Sequence, residues 1–137
     1  MASKAVASGL FETVQFPFNY VAREPADTLV PLAVEHDVGF IAMKPFAGGM
    51  LDNARLAFKY LLQFDQVVAD PGIEKMEEIT EIVALVESGD LALTPLEQAE
   101  IDRARAELGT RFCHQCGYYL PCPQEIQIPM ILITHKI

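Results

Sequence analysis

Three short apolar runs, Thr13–Phe18, Val38–Met43 and Gln66–Ala69, begin 25 and 28 residues apart. Hairpin partners are separated by only about two to five residues, so this interval excludes a simple meander. It leaves room for one helix between successive strands, the repeat that gives parallel pairing through right-handed crossovers. The middle run, Val38-Gly-Phe-Ile-Ala-Met43, is apolar almost throughout, as expected of a strand covered on both faces. The rhythm points to the α/β class, with helices packed outside a parallel sheet.

The intervening segments carry helical patterns. Pro25 to Glu35 places Leu29, Leu32 and Ala33 at helical spacing, and Leu51 to Phe64 does the same with Leu51, Ala54, Phe58, Leu61 and Leu62. Asp52 or Asn53 is placed to cap the second of these. After the third run, Pro71-Gly72 opens a helix over Ile73–Glu87, where Met76, Ile79, Val83 and Val86 form a stripe at steps of three and four and Gly89 supplies the stop. Thr94-Pro95-Leu96-Glu97 is a capping box with proline at the first helical position. Ile101, Ala104 and Leu108 follow on one face, and Gly109 ends that helix. Ala2–Ser8 reads as the tail of a further helix.

Three strands are too few to close a barrel of eight and leave two bare sheet edges, which folded proteins avoid. Cover must come from a strand at the apolar end Met130–Thr134, from a second copy of the chain, or from a missing remainder. With 137 residues, the chain suits a single domain with a real core, and no linker separates a second one. A formal net charge of −9 argues against nucleic-acid partners and against an anionic membrane surface. No stretch approaches the roughly 20 apolar residues of a membrane span, and the N-terminus lacks a secretory signal. The odd count of 3 cysteines fits free thiols in a reduced, cytoplasmic setting.

The specific residues resemble a known family. Phe11-Glu-Thr-Val-Gln15-Phe-Pro-Phe-Asn19-Tyr20, Val38-Gly-Phe-Ile-Ala-Met-Lys44-Pro45-Phe-Ala-Gly48-Gly49-Met-Leu51 and Pro71-Gly72-Ile-Glu-Lys75 are similar to the last three strand regions of an aldo/keto reductase. The similarity runs from about Ser8 to Pro129 and is closest to the bacterial and archaeal branch with a ferredoxin-like cysteine run after the barrel. It implies a partial (β/α)8 TIM-type barrel over residues 1–109, followed by a cysteine-containing extension and tail over 110–137. The family's activity is NADP(H)-dependent reduction of carbonyls or oxidation of alcohols.

The family's catalytic Asp, Tyr, Lys and His lie on earlier strands, and no segment here matches them. Tyr20 and Tyr60 stand in the wrong contexts to substitute. The resemblance therefore implies a truncated oxidoreductase without catalytic residues of its own. The other expectation is a non-catalytic interaction module, self-associating or pairing with a separately encoded barrel half. The ending Ile131–Ile137 departs from the family pattern just after Pro129, as a frame-shifted tail would.

For the cofactor, the resemblance places Gln15 on the nicotinamide carboxamide and the Phe46–Gly49 backbone, with Gly48 and Gly49, along the pyrophosphate. It places Gly72 and Lys75 near the adenosine 2′-phosphate, at a helix N-terminus that favours anions, and Glu81 near adenine. Met43 stands where many relatives carry a stacking aromatic, and Ile82 where an asparagine usually sits. Read without the resemblance, Gln15 is a polar residue at a barrel mouth and Gly48-Gly49 a strand-to-helix turn. Lys75 is then a surface lysine pairing with Glu78 or Glu81.

The run Cys113-His-Gln-Cys116-Gly-Tyr-Tyr119-Leu-Pro-Cys122-Pro123 follows the iron–sulfur spacing C-x2-C-x2-C-x3-C-P, with Tyr119 in the third ligand place. Cys113, Cys116 and Cys122 can hold a [3Fe–4S] cluster, or a [4Fe–4S] cluster completed by another ligand. Zinc held with His114 and metal-free thiols are the alternatives. His36 and His135 have no acid or thiol partner nearby in sequence and read as surface histidines.

Overall fold

The structure, a computed structural model, describes residues 1–108 and 120–134. A short helix α1 (Ala2–Val6) precedes strand β1 (Thr13–Pro17), and helices α2 (Glu24–Asp27) and α3 (Leu29–Glu35) lead to β2 (Gly39–Met43). Helix α4 (Ala54–Leu61) then leads to β3 (Val67–Asp70), followed by α5 (Met76–Ser88), α6 (Pro95–Leu108) and α7 (Ile128–Thr134). The strands form one parallel sheet in the order β1-β2-β3, with Gln15 opposite Ile41 and Ile41 opposite Val68. This is the α/β architecture that the 25- and 28-residue repeat implies.

The helices cover one face of the sheet. Phe40 and Ala42 are buried there while Gly39, Ile41 and Met43 remain half-buried. Alternation thus corrects the expectation that β2 is covered on both faces: period-two geometry sends every second side chain to a face that no described helix reaches. On the covered face, Phe18 stacks edge-on against Phe40 at 5.7 Å, Tyr60 at 5.8 Å and Phe64 at 5.1 Å. Burial of a side chain such as Phe18 contributes about 1.5–3 kcal/mol, and such edge-to-face pairs add about 0.5–1.5 kcal/mol each.

Three further expectations are revised. Pro25–Glu35 is two helices, because Pro31 has no N–H for the Asp27 carbonyl and its ring crowds that position. The chain breaks at Thr28 (φ −128°, ψ −71°). The stripe Met76, Ile79, Val83 and Val86 on α5 is exposed, and Leu85 is the buried residue of that helix. Finally, the apolar end is helical: Pro129 sits in the first turn of α7, where its missing N–H costs nothing. Met130–Thr134 therefore adds no strand, and among the described residues both sheet edges stay bare.

Local signals elsewhere act as expected. Asn53 Oδ1 accepts from the Leu56 N–H at 3.0 Å and caps α4. Gly89 closes α5 with φ +68°, the left-handed conformation that glycine adopts without strain. Both limbs of the α6 capping box form: the Glu97 carboxylate accepts from the Thr94 N–H at 2.8 Å, and Thr94 Oγ1 accepts from the Glu97 N–H at 3.2 Å. Gly109, expected to end α6, lies outside the described residues. None of the described helices is long and apolar enough to cross a membrane.

Glu97 has a second task. Its two oxygens accept from Lys59 Nζ at 2.8 and 2.9 Å, and Lys59 is 0% exposed. Asp90 stands 3.6 Å from the same ammonium, and Arg55 pairs with Asp90 at the rim. The cluster ties α6 and the loop before it to the outer face of α4. The hydrogen bond from Lys59 and the Thr94 N–H favour the ionised acid and hold the Glu97 carboxyl at about 2, against an ordinary 4.5. Because the folded value is depressed, the stability it contributes is complete above the ordinary value and is lost as pH falls through about 2. Glu97→Ala leaves the buried Lys59 with the looser Asp90 pair at 3.6 Å and is expected to destabilise the chain by about 3 kcal/mol in urea melts. Glu97→Gln is expected to flatten the loss of stability below pH 4.5 that wild type shows in the same melts.

Candidate functional site

A cleft lies at the C-terminal ends of the strands, the end where parallel β/α sheets carry their sites. It encloses about 760 Å³. Its floor is Gln15 and Met43 from the uncovered sheet face, one wall is the loop after β2, and the other is the Asp70-Pro71-Gly72 turn leading to α5. Of the residues expected at a cofactor, Gln15, Phe46, Gly48, Gly49, Gly72 and Glu81 all line this cleft, as do Met43 and Ile82. Lys75 does not; it stands exposed at the N-cap of α5.

The β2–α4 loop is held from below by Asn19, 1% exposed. Its amide donates to the Lys44 carbonyl at 3.0 Å, and its Oδ1 accepts from the N–H groups of Val21 at 3.0 Å and Ala22 at 2.8 Å. The Phe18 N–H donates to the Met43 carbonyl at 3.1 Å. One buried side chain therefore joins the exits of β1 and β2. Beyond it the loop turns through left-handed conformations at Lys44 (φ +55°), Ala47 (+50°), Gly48 (+71°) and Gly49 (+86°). A Cβ at Gly49 would meet nothing within 4 Å, so glycine is required there by its backbone angle and not by crowding.

Two observations bear on an anionic cofactor. Within the loop, the Ala47 N–H donates to the Lys44 carbonyl, and the Gly49 and Leu51 N–H groups donate to the Phe46 carbonyl, at 2.9 to 3.2 Å. Those donors are already used. Just before α5, Glu78 reaches back and accepts from the Glu74 N–H at 2.8 Å and the Lys75 N–H at 3.2 Å. These two backbone bonds hold the Glu78 carboxyl below the usual carboxylate range. The lining as a whole contains Asp52, Asp70, Glu74, Glu78 and Glu81 against a single lysine, Lys44. The residues present thus fit an uncharged carboxamide and ring at the Gln15–Met43 end. They do not fit phosphates, for want of positive charge.

Tyr20 and Tyr60 stand apart from the cleft lining, in the aromatic layer between helices and sheet, with ring centroids 6.3 Å apart. Burial, helped by Asp52 and Glu100, pushes the Tyr20 hydroxyl up to about 12. Tyr60 is also raised by burial, and Arg105 lies over its ring at 5.6 Å. Cys122 is a free, half-buried thiol beside Leu120, Pro121 and Glu125. Cys113, His114, Cys116 and Tyr119 lie outside the described residues, and no group of three metal-ligating side chains occurs among those described.

Sequence reasoning left Asn19 and Asp70 out of the site. A polar residue ending the apolar Phe16–Phe18 stretch marks Asn19, and the Asp-Pro-Gly turn marks Asp70. Neither mark reveals a role without the partner. Gln15 Nε2 donates to Asp70 Oδ2 at 2.9 Å, across a separation of 55 residues.

No family model matches the sequence, and a search of curated proteins finds no match either. Solved structures do resemble it. The aldo-keto reductase AKR11C1 from Bacillus halodurans, holo form, superposes with a TM-score of 0.57 at 19% identity over 74% of this chain and 45% of its own. Its apo form gives 0.56 at 19% identity, over 74% and 46%. At that identity the likeness shows the fold: three parallel strands with flanking helices, like part of an aldo-keto reductase barrel. The chain spans less than half the length of the structures it matches.

Asn19→Ala strips the Lys44 carbonyl and two N–H groups of their buried partner and is expected to cost about 2–3 kcal/mol in urea unfolding. It is also expected to speed amide exchange across residues 44–51, while exchange in α6 tracks the global loss alone.

Proposed function

We propose that this chain is one half of an aldo/keto reductase-type barrel and that its cleft forms the nicotinamide-side wall of a pyridine-dinucleotide site. The supporting observation is convergence: Gln15, Phe46, Gly48, Gly49, Gly72 and Glu81, from three separate parts of the sequence, face one 760 Å³ space at the C-terminal end of the sheet. The cofactor would be NADP(H) by analogy with the family, and when bound it supplies hydride transfer to or from a carbonyl carbon. Gln15 orients the carboxamide, Met43 packs against the ring with its polarizable thioether, and the left-handed loop closes the side. Positive charge for the phosphates, and a proton donor, have to come from the other half of the barrel. Removing a general acid typically costs about 10²–10⁴-fold in rate.

In NMR titrations the chain alone is expected to bind NADPH weakly, with shifts confined to the cleft. Gln15→Ala is expected to weaken that binding about fivefold, the scale of one hydrogen bond. Mixed with NADPH and a panel of aldehydes, it is expected to show no enzyme-like turnover; clear turnover would overturn the half-site reading.

The exposed stripe on α5 supports a second, compatible role as an interaction module. Met76, Ile79, Val83 and Val86 form an apolar face, and among the described residues β3 offers an open strand edge with Val68 exposed. Two copies would bring six strands, short of the eight of a closed barrel, so a complementary half fits these edges better than a second copy. Left alone, the stripe is expected to drive loose association, seen in light scattering as a mass above 15.2 kDa. Val83→Glu is expected to reduce it, and a clean wild-type monomer would count against this role.

A further inference from the structure

Helix α5 buries Leu85 and leaves its other apolar residues outside. Met76, Ile79, Val83 and Val86, at helical steps of three and four, are 70%, 41%, 46% and 51% exposed. Ile82, which lines the cleft, lies three residues from Ile79 and four from Val86, so it joins the stripe to the cleft mouth. From Met76 to Val86 the stripe runs about 15 Å, nearly three turns. That is the length over which a partner helix sets anchors at i, i+3, i+4 and i+7.

The borders of the stripe carry one sign. Glu78 stands four residues before Ile82 and Glu87 four beyond Val83, on opposite sides of it. With Glu77 and Glu81 they are the charged residues of α5, and no lysine or arginine occurs between Met76 and Ser88. Lys75, at the N-cap, is the nearest cation along the chain. Among the described residues no salt bridge engages any of the four glutamates.

The sign of that border selects what covers the stripe. A second copy, docked symmetrically, would set four glutamates against four, and like charges juxtaposed across an interface cost affinity. A helix with lysine or arginine beside its own apolar stripe meets opposite charge on both flanks, as the flanking positions of a coiled pair do. We propose that the α5 stripe and its glutamate borders are a docking face for a basic amphipathic helix carried by a partner protein. This rests on the interaction-module reading above and adds to it the partner's secondary structure and charge; it is independent of what enters the cleft.

The probe is a synthetic peptide of about 18 residues, five turns, with leucine at helical spacing and lysine elsewhere. Its controls are a leucine–glutamate peptide of the same pattern and a leucine–lysine peptide of the same composition with strictly alternating residues. Binding is read by NMR titration of the full chain. The helical leucine–lysine peptide is expected to shift resonances of residues 76–87, with affinity falling about tenfold between about 50 and about 300 mM salt. Both controls are expected to bind at least about tenfold more weakly. Ile79→Ser combined with Val83→Ser is expected to weaken the helical peptide about tenfold, and Glu81→Gln with Glu87→Gln to flatten its salt dependence. All four positions are exposed, and an unchanged spread of amide resonances verifies that each variant folds. Equal binding of either control, or binding that the serine pair leaves unchanged, overturns the proposal while leaving the interaction-module reading in place. Self-association through α5 that excludes the peptide makes a second copy the occupant and overturns it likewise. A clean monomer of 15.2 kDa that binds no peptide removes both.

Discussion

Phe18 and Phe40, edge to face at 5.7 Å beneath the helices, define the one face of the sheet that this chain covers. The rest of the structure follows from that asymmetry. Residues alternating with the buried set, among them Gln15, Ile41, Met43, Val68 and Asp70, project to the opposite face, where no described helix reaches. They meet solvent, and at the C-terminal end they become the floor of the cleft. The same geometry that builds the core therefore exposes the chemistry. In a closed barrel such residues would turn inward and be packed by their counterparts.

Two polar arrangements hold this half in shape, and they differ in dielectric setting. Lys59 is withdrawn from water entirely, so its bidentate bond with Glu97 is needed to offset desolvation, and breaking one side is costly. It clamps α6 to the back of α4, remote from the cleft. Asn19 works at the front with neutral hydrogen bonds, joining the exits of β1 and β2 and so setting where the loop begins its left-handed course. The cleft itself has no such balance. Five carboxylates and one lysine around it repel an anion.

Much of this could be read from local pattern. The spacing of the apolar runs gave parallel strands, because a covalent chain can return to start a parallel strand only through a crossover of that length. Thr94 and Glu97 announced their capping box because both limbs lie within one turn. Pattern misled where the outcome depended on what lies alongside. The α5 stripe has core periodicity, yet no described element packs on it. Met130–Thr134 has the composition of a strand, but it continues the helix that Ile128 and Pro129 open, and it leaves the sheet edges unpaired. The Pro25–Glu35 pattern hid its break, since apolar spacing ignores the hydrogen bond that Pro31 cannot make.

By itself, then, the sequence determined the order of strands and helices, their caps, and the set of residues that share a strand end. These are effects of bonds and sterics within a few neighbouring residues. Only the tertiary structure decided that no described helix covers the second face of β2, that Glu78 takes up the N–H groups of Glu74 and Lys75 just before α5, and that Gln15 meets Asp70 from 55 residues away. Those outcomes depend on which surfaces and which distant partners fall together, and local periodicity does not encode that.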